Sequence, residues 1–257
     1  MTFSVSRQPH AAGILATLVA LPLILAGCSG QAPGELGQLQ SILAACPDQP
    51  VNVYDAVDGT GTSQDDTIAS EHLRSIEVDV ERAAVCGGHV TIVAFGTNSV
   101  TAPIYDGDLA TEGATDLAKL RRVPGLVDDV MAEVTKNYKP AIATLPAGGT
   151  DVTGLLRLLG EARVLRPDML LQATIYTDGL TNQGIVLDHP MTDAEATALA
   201  DTVAVPDLSG ASLAVVGIGR VAGDPVSSDF IAGMKTFYTR LLERTGADQI
   251  RVMTDGH

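Results

Sequence analysis

The sequence predicts an α/β domain built on a doubly wound, mostly parallel six-stranded sheet of order 3-2-1-4-5-6, with strand 3 an antiparallel edge and helices on both faces. Two observations carry this expectation. Short β-branched apolar runs, such as residues 51–57 and 169–177, alternate with longer stretches whose apolar residues recur at helical spacing. Two of the strand-like runs also end on Asp-Gly, at Asp58-Gly59 and Asp178-Gly179, where a strand gives way to a turn. At 257 residues the chain suffices for one full-sized domain, and its hydrophobic fraction of 46% supports a core. With no Trp and 4% aromatics, that core is aliphatic.

Residues 1–10 carry Arg7 and no acid, and residues 11–27 are uncharged and mostly apolar, the layout of a secretory signal. The stretch ends Leu25-Ala26-Gly27-Cys28, which resembles the lipobox of bacterial lipoproteins. The resemblance implies cleavage before Cys28 and a diacylglycerol on its sulfur. The protein would then be exported and lipid-anchored to the cell membrane, facing the extracytoplasmic side. The alternatives are an uncleaved membrane anchor, for which the apolar stretch is short, or a secreted protein with a chance cysteine. Residues 28–47 then comprise the lipidated cysteine, a Gly/Pro/Gln tether and a short helix marked by Leu36, Leu39, Ile42 and Leu43, ahead of a domain over 48–257. Three cysteines are odd, and assigning Cys28 to the lipid leaves Cys46 and Cys86 as a disulfide pair outside the cytoplasm. The alternative is two buried free thiols.

Within the domain, Val51, Val53 and Val57 mark the first strand, ending at Asp58. A helix follows over 65–86, with Leu73, Ile76, Val80, Ala83 and Ala84 on one face, and Gly87-Gly88 stops it. Residues 89–95 form a second strand. Residues 101–105 form a third, which Pro103 relegates to an edge. Residues 115–137 are helical in outline, with Pro124 opening a second piece, and a loop runs from Lys139-Pro140 to Gly149. Thr150-Asp151 leads a helix carrying Leu155, Leu156, Leu159 and Ala162. Strands at 169–177, 212–218 and 249–253 alternate with helices from Thr192 to about Asp201 and over 229–243.

In a sheet of this order strands 1 and 4 are neighbours at the switch point, and ligands bind outside their carboxyl ends. Asp58 and Asp178 therefore meet at one site, with Thr60 and Thr62 in the loop after Asp58. One carboxylate and two hydroxyls at alternate positions of a glycine loop suit a hard divalent cation such as Mg²⁺, Mn²⁺ or Ca²⁺. Turns favour the same residues, so this loop is informative only in company.

The company is Thr150 and Asp178. Asp58-Gly-Thr60-Gly-Thr62, Gly149-Thr150-Asp151 and Thr177-Asp178-Gly179 resemble, in order and in structural context, the metal-ion-dependent adhesion site (MIDAS) of von Willebrand factor A (VWA) domains. The resemblance covers roughly residues 48–255. Threonine stands where the family has two serines, keeping the hydroxyl and adding a methyl. The resemblance implies that Thr60 and Thr62 bind Mg²⁺ or Mn²⁺ directly, with Ca²⁺ a third candidate. Thr150 would bind directly when a ligand is engaged and through water otherwise, while Asp58 and Asp178 hold coordinating waters. A carboxylate from a protein partner completes the coordination, as in adhesion, and no catalysis is involved. Asp65 and Asp66 resemble an integrin β-subunit variant with a second, adjacent cation site; acids in a helix's first turn also favour the macrodipole.

Other classes fit less well. A net charge of −15, moving to −16 once residues 1–27 and their single Arg7 are removed, makes nucleic acid or an anionic membrane surface a poor partner, so the membrane enters only through the lipid. Asp55 and Asp58 resemble the first motif of haloacid-dehalogenase-type phosphatases, but three-residue spacing puts them on opposite faces of a strand, and residues 180–223 lack the family's lysine. A dinucleotide site lacks its third glycine, and no His stands at zinc-ligand spacing from another His. The remaining alternative is a metal-free scaffold of VWA shape.

Overall fold

The computed structural model describes residues 34–61 and 65–255. Cys28, the apolar stretch 11–27 and Thr62 lie outside the described residues. The elements run α1 (Glu35–Ala44), β1 (Val51–Asp58), α2 (Asp66–Cys86), β2 (Gly88–Phe95), a 3-10 turn (Thr97–Ser99), β3 (Thr101–Leu109), α3 (Asp116–Leu120), α4 (Val123–Thr144), α5 (Val152–Leu165), β4 (Leu170–Tyr176), β5 (Thr181–Gln183), β6 (Ile185–Leu187), α6 (Asp193–Thr202), β7 (Ser212–Val216), α7 (Ser228–Glu243) and β8 (Gln249–Met253).

One six-stranded sheet has the order β3-β2-β1-β4-β7-β8. All its pairings are parallel except that of β3 with β2. The expected order therefore holds, with β7 and β8 in the fifth and sixth places. The separate β5–β6 hairpin accounts for the shift in numbering.

β1 lies between β2 and β4, and all eight of its residues are buried. A parallel strand covered on both faces has no polar side, which is why valine fills it. Val51, Val53 and Val57 join Ile76 and Val80 of α2 and Val130, Val134 and Tyr138 of α4 in one core. Tyr54 and Ala56 point the other way, into a second core with Leu155, Leu156 and Leu159 of α5 and Met234, Phe237 and Leu241 of α7. Asp65 caps α2 by accepting the amides of Thr67 and Ile68, and Gly87 ends it at φ 73°. Cys46 and Cys86 are disulfide-bonded, with Cα atoms 5.4 Å apart, tying the segment after α1 to the end of α2.

Three stretches differ from the expectation. α4 continues through Pro140 to Thr144, where a loop was expected. Tyr138 and Ala141 are buried on either side of the exposed proline, and their packing holds the helix across the missing amide. β3 runs on to Leu109, pairing along the whole of β2 past an irregularity between Ile92 and Val93, with Pro103 on the edge as expected. The hairpin over 181–187 has three-residue strands turning at Gly184, φ 72°, too short for a period to register. Among the described residues no helix is long and apolar enough to cross a membrane.

Candidate metal centre

β1, β2 and β4 end side by side, and the loops leaving them build a compact polar cluster beneath the surface. Its anchor is Asp58, fully buried at the end of β1. Gly59 lets the chain turn there: a Cβ at that position would stand 2.3 Å from Leu145 Cδ1 and 3.4 Å from the Phe95 carbonyl oxygen. The turn brings the Thr60 amide to 3.0 Å and the Thr60 hydroxyl to 2.8 Å from Asp58 Oδ1.

Thr150 arrives from the loop before α5. Asp151, not Thr150, is the helix cap, accepting the Gly154 amide at 2.8 Å and the Ser99 hydroxyl at 2.9 Å. That leaves the Thr150 hydroxyl free of capping, and it donates to Asp58 Oδ2 at 3.1 Å. Thr60 Oγ1 and Thr150 Oγ1 are 3.2 Å apart. Thr181, on β5, donates to the Thr150 carbonyl at 2.6 Å and ties this loop to the one that leaves β4.

Asp178 follows β4 and is 2% exposed. Its Oδ1 accepts the Leu180 amide at 2.9 Å, and Gly179 turns the chain at φ 87°. The Tyr238 hydroxyl donates to the Gly179 carbonyl at 3.1 Å. Burial, and then the charges of Asp178 and Asp58, hold the Tyr238 phenol well above its ordinary pKa, so both carboxylates lie within electrostatic reach of one ring. Thr177 was not singled out from the sequence. Its hydroxyl donates to Asp58 Oδ2 at 2.8 Å and accepts the Gly179 amide at 3.2 Å, linking the two acidic turns. Its side chain became legible only once β4 was set beside β1.

The Asp58 carboxyl is pushed above the usual carboxylate range by burial, against the pull of its bonds from Thr60, Thr177 and Thr150. Among the described residues no Lys, Arg or His pairs with it, so hydroxyls and one amide supply its partners. A hydroxyl that gives its proton to Asp58 turns its lone pairs away from it. With their protons directed at Asp58, the neighbouring Thr60 and Thr150 oxygens keep lone pairs able to accept or to coordinate. Neighbouring oxygens at right angles on Mg²⁺ are about 3.0 Å apart and on Ca²⁺ about 3.4 Å, from metal–oxygen distances of ~2.1 and ~2.4 Å. The Thr60–Thr150 separation of 3.2 Å falls between these values. The donor set fits a hard divalent cation. Among the described residues no cluster of three His, Cys, Asp or Glu is placed to hold a metal, so the site would depend on hydroxyl donors.

Asp58, Thr60 and Thr150 thus come together, Asp178 follows Thr177, which bonds Asp58, and Thr62 lies outside the described residues. Asp65 is engaged in capping α2, and Asp66 is ion-paired with Lys139 at 2.8 Å, both on the surface. Asp55 is buried beside Asp79 of α2, on the face of β1 opposite Asp58, as three-residue spacing requires.

No protein-family description and no curated protein matches the chain. Among solved structures it is similar to the conserved hypothetical protein BatB from Bacteroides thetaiotaomicron, with 13% identity and a TM-score of 0.39 over 80% of this chain and 90% of that one. It is similar to a von Willebrand factor type A protein from Catenulispora acidiphila, with 16% identity and a TM-score of 0.39 over 80% of this chain and 39% of that one. It is also similar to manganese-loaded TRAP from Plasmodium vivax, with 16% identity and a TM-score of 0.36 over 73% of this chain and 63% of that one. At these values the likeness transfers no residue roles.

Proposed function

We propose that this chain is an exported, lipid-anchored protein whose domain binds a protein partner through a divalent cation, Mg²⁺ or Mn²⁺, at a MIDAS-type site, without catalysis. Asp58, Thr60, Thr62, Thr150 and Asp178 would hold the ion. The observation that carries this proposal is the buried Asp58 carboxylate, bonded by Thr60 and Thr150 hydroxyls whose oxygens stand 3.2 Å apart. A burial this complete is costly for a carboxylate without a cationic partner. A bound cation would offset that charge and present a coordination position that a partner carboxylate can fill.

The chain's own residues do the positioning. Asp58 fixes the orientation of both hydroxyls, and Thr177 fixes Asp58. Asp178, at the lip of β4, adds the second negative charge. The opposed faces of Asp55 and Asp58 disfavour the phosphatase alternative.

Calorimetric titration with Mg²⁺ and with Mn²⁺ tests the proposal. The wild type should bind one ion, and Asp58→Ala and Thr150→Ala should each lose that binding while keeping the wild-type circular dichroism. Affinity unchanged by Asp58→Ala, or no uptake by the wild type even with acetate present as a carboxylate ligand, would leave a metal-free scaffold.

A further inference from the structure

On the side of β1 away from the candidate metal centre, a second pair of acids meets, one fully buried and one partly buried. Asp55 is fully buried in the middle of β1. Among the described residues neither of its oxygens has a well-formed hydrogen bond, and the one hydroxyl acting on it is that of Thr174 on β4. The polar group facing it is the carboxyl of Asp79 from α2, within hydrogen-bonding reach. Asp79 is better provided for. Thr174 and Tyr176 of β4 direct their hydroxyls at its Oδ2, at 3.3 and 3.4 Å, and the charges of Arg251 on β8 and Arg82 on α2 act on it. Beside Asp55 on β4 is Thr174, while Ile92 on β2 and Val53 and Val57 on its own strand face are apolar.

We propose that Asp55 and Asp79 share one proton at neutral pH, as a carboxylic acid donating to a carboxylate, and that this bond fastens α2 to β1 and releases it under alkaline conditions. Two carboxylates have no proton between them and repel; an acid and a carboxylate form a strong charge-assisted bond. The assignment of the proton follows from the partners. Asp79, with two hydroxyls and two guanidinium charges at hand, is the carboxylate. Asp55, fully buried and with only the Thr174 hydroxyl that Asp79 also draws on, is the acid. A cation in place of the proton is disfavoured by space. A cavity of about 80 Å³ beside Asp79 is lined by Asp79, Arg82, Thr174 and Arg251 but not by Asp55. An ion there would sit among two guanidinium groups and reach only one acid.

Both acids are held above the usual carboxylate range, by burial first. An unfolded aspartate gives up its proton near pH 4. The folded chain therefore holds more protons than the unfolded one above that point, and its stability falls as the pH rises toward the raised value. Asp55 stands three residues before Asp58 on β1, on the opposite face of the strand from the candidate metal centre. The bond does not depend on any metal being bound there.

Two measurements on the intact chain test this. At neutral pH, infrared spectroscopy of the wild type should show a protonated-carboxyl C=O band that disappears in Asp55→Asn and in Asp79→Asn; a band due to Asp58 would persist in both. The urea midpoint of the wild type should fall between pH 7 and pH 10 (values chosen for the test, above the ordinary carboxylate range), and that of Asp55→Asn, whose amide donates to Asp79 without titrating, should fall less. A wild-type spectrum without the band, or a band unchanged by both substitutions, would overturn the proposal, as would parallel urea midpoints. If either variant fails to fold, the wild-type band and the slope of its urea midpoints decide the matter.

Discussion

Thr60 and Thr150, separated by 90 positions in the chain, stand hydroxyl to hydroxyl at 3.2 Å and are held there by the same carboxylate, Asp58. Neither threonine is placed by its own helix or strand. Thr60 follows a glycine turn, and Thr150 is released from capping because Asp151 takes that role. The pair exists because β1 and the loop before α5 converge at one end of the sheet.

The Asp58 network should cost stability when trimmed, whether or not a cation binds. Thr177→Val keeps shape and removes the 2.8 Å bond to a fully buried carboxylate. A loss of about 1–3 kcal/mol is expected. Urea denaturation of the metal-free protein measures it, and a loss below a few tenths would show that the bond contributes little.

At Thr150 the hydroxyl and the methyl can be separated. Thr150→Ser should keep Mg²⁺ or Mn²⁺ binding, and Thr150→Val should weaken it about tenfold or more, equivalent to ~1.4 kcal/mol. Equal affinities for the two variants would remove Thr150 from the ligand set.

The disulfide between Cys46 and Cys86 closes a separation of 40 residues. Loop entropy predicts that reduction destabilises the folded chain by ~3–4 kcal/mol. Unfolding curves with and without reductant should differ by that order. Recovery of both thiols free to alkylation, from exported protein never exposed to reductant, would contradict the bond.

His72 gives the chain an acid limit. It is buried against the hydroxyl of Tyr138, 3.2 Å from Nδ1, and its pKa is lowered from 6.5 to about 4, by burial and then by the charge of Arg220. Protons therefore favour the unfolded chain between these values, and stability is lost as the pH falls from 6.5 toward 4, by about 3 kcal/mol in total. The wild type should lose stability more steeply over that window than His72→Gln. Matching slopes would show that another group governs the acid limit.

The lipid anchor is testable at Cys28 alone. In a host that processes lipoproteins, the wild type should partition into the detergent phase and Cys28→Ala into the aqueous phase. Equal partitioning would remove the anchor and leave a secreted or membrane-spanning chain.

Most of the element pattern and the sheet order were legible in the sequence itself, and the pairing of Cys46 with Cys86 followed from setting Cys28 aside by its resemblance to a lipobox cysteine. Valine alternating through residues 51–57 and leucine repeating through 155–159 are periodic signals that one element writes into its own residues. The strand order follows because parallel strands joined by right-handed crossovers leave few arrangements. Asp58, Thr60, Thr150 and Asp178 could be nominated because they flank those elements at the end where such sheets bind ligands. What only the tertiary structure decided are the contacts between distant residues and the choices between competing local roles. Asp151 capping α5, Thr177 bridging two acidic turns and the helix running on through Pro140 each depend on a neighbour from another part of the chain. So does the meeting of Asp55 and Asp79 across β1 and α2. A periodic pattern records which face of an element is buried, but the partner met on that face is set by packing, where burial and hydrogen bonding outweigh the preference of any single residue.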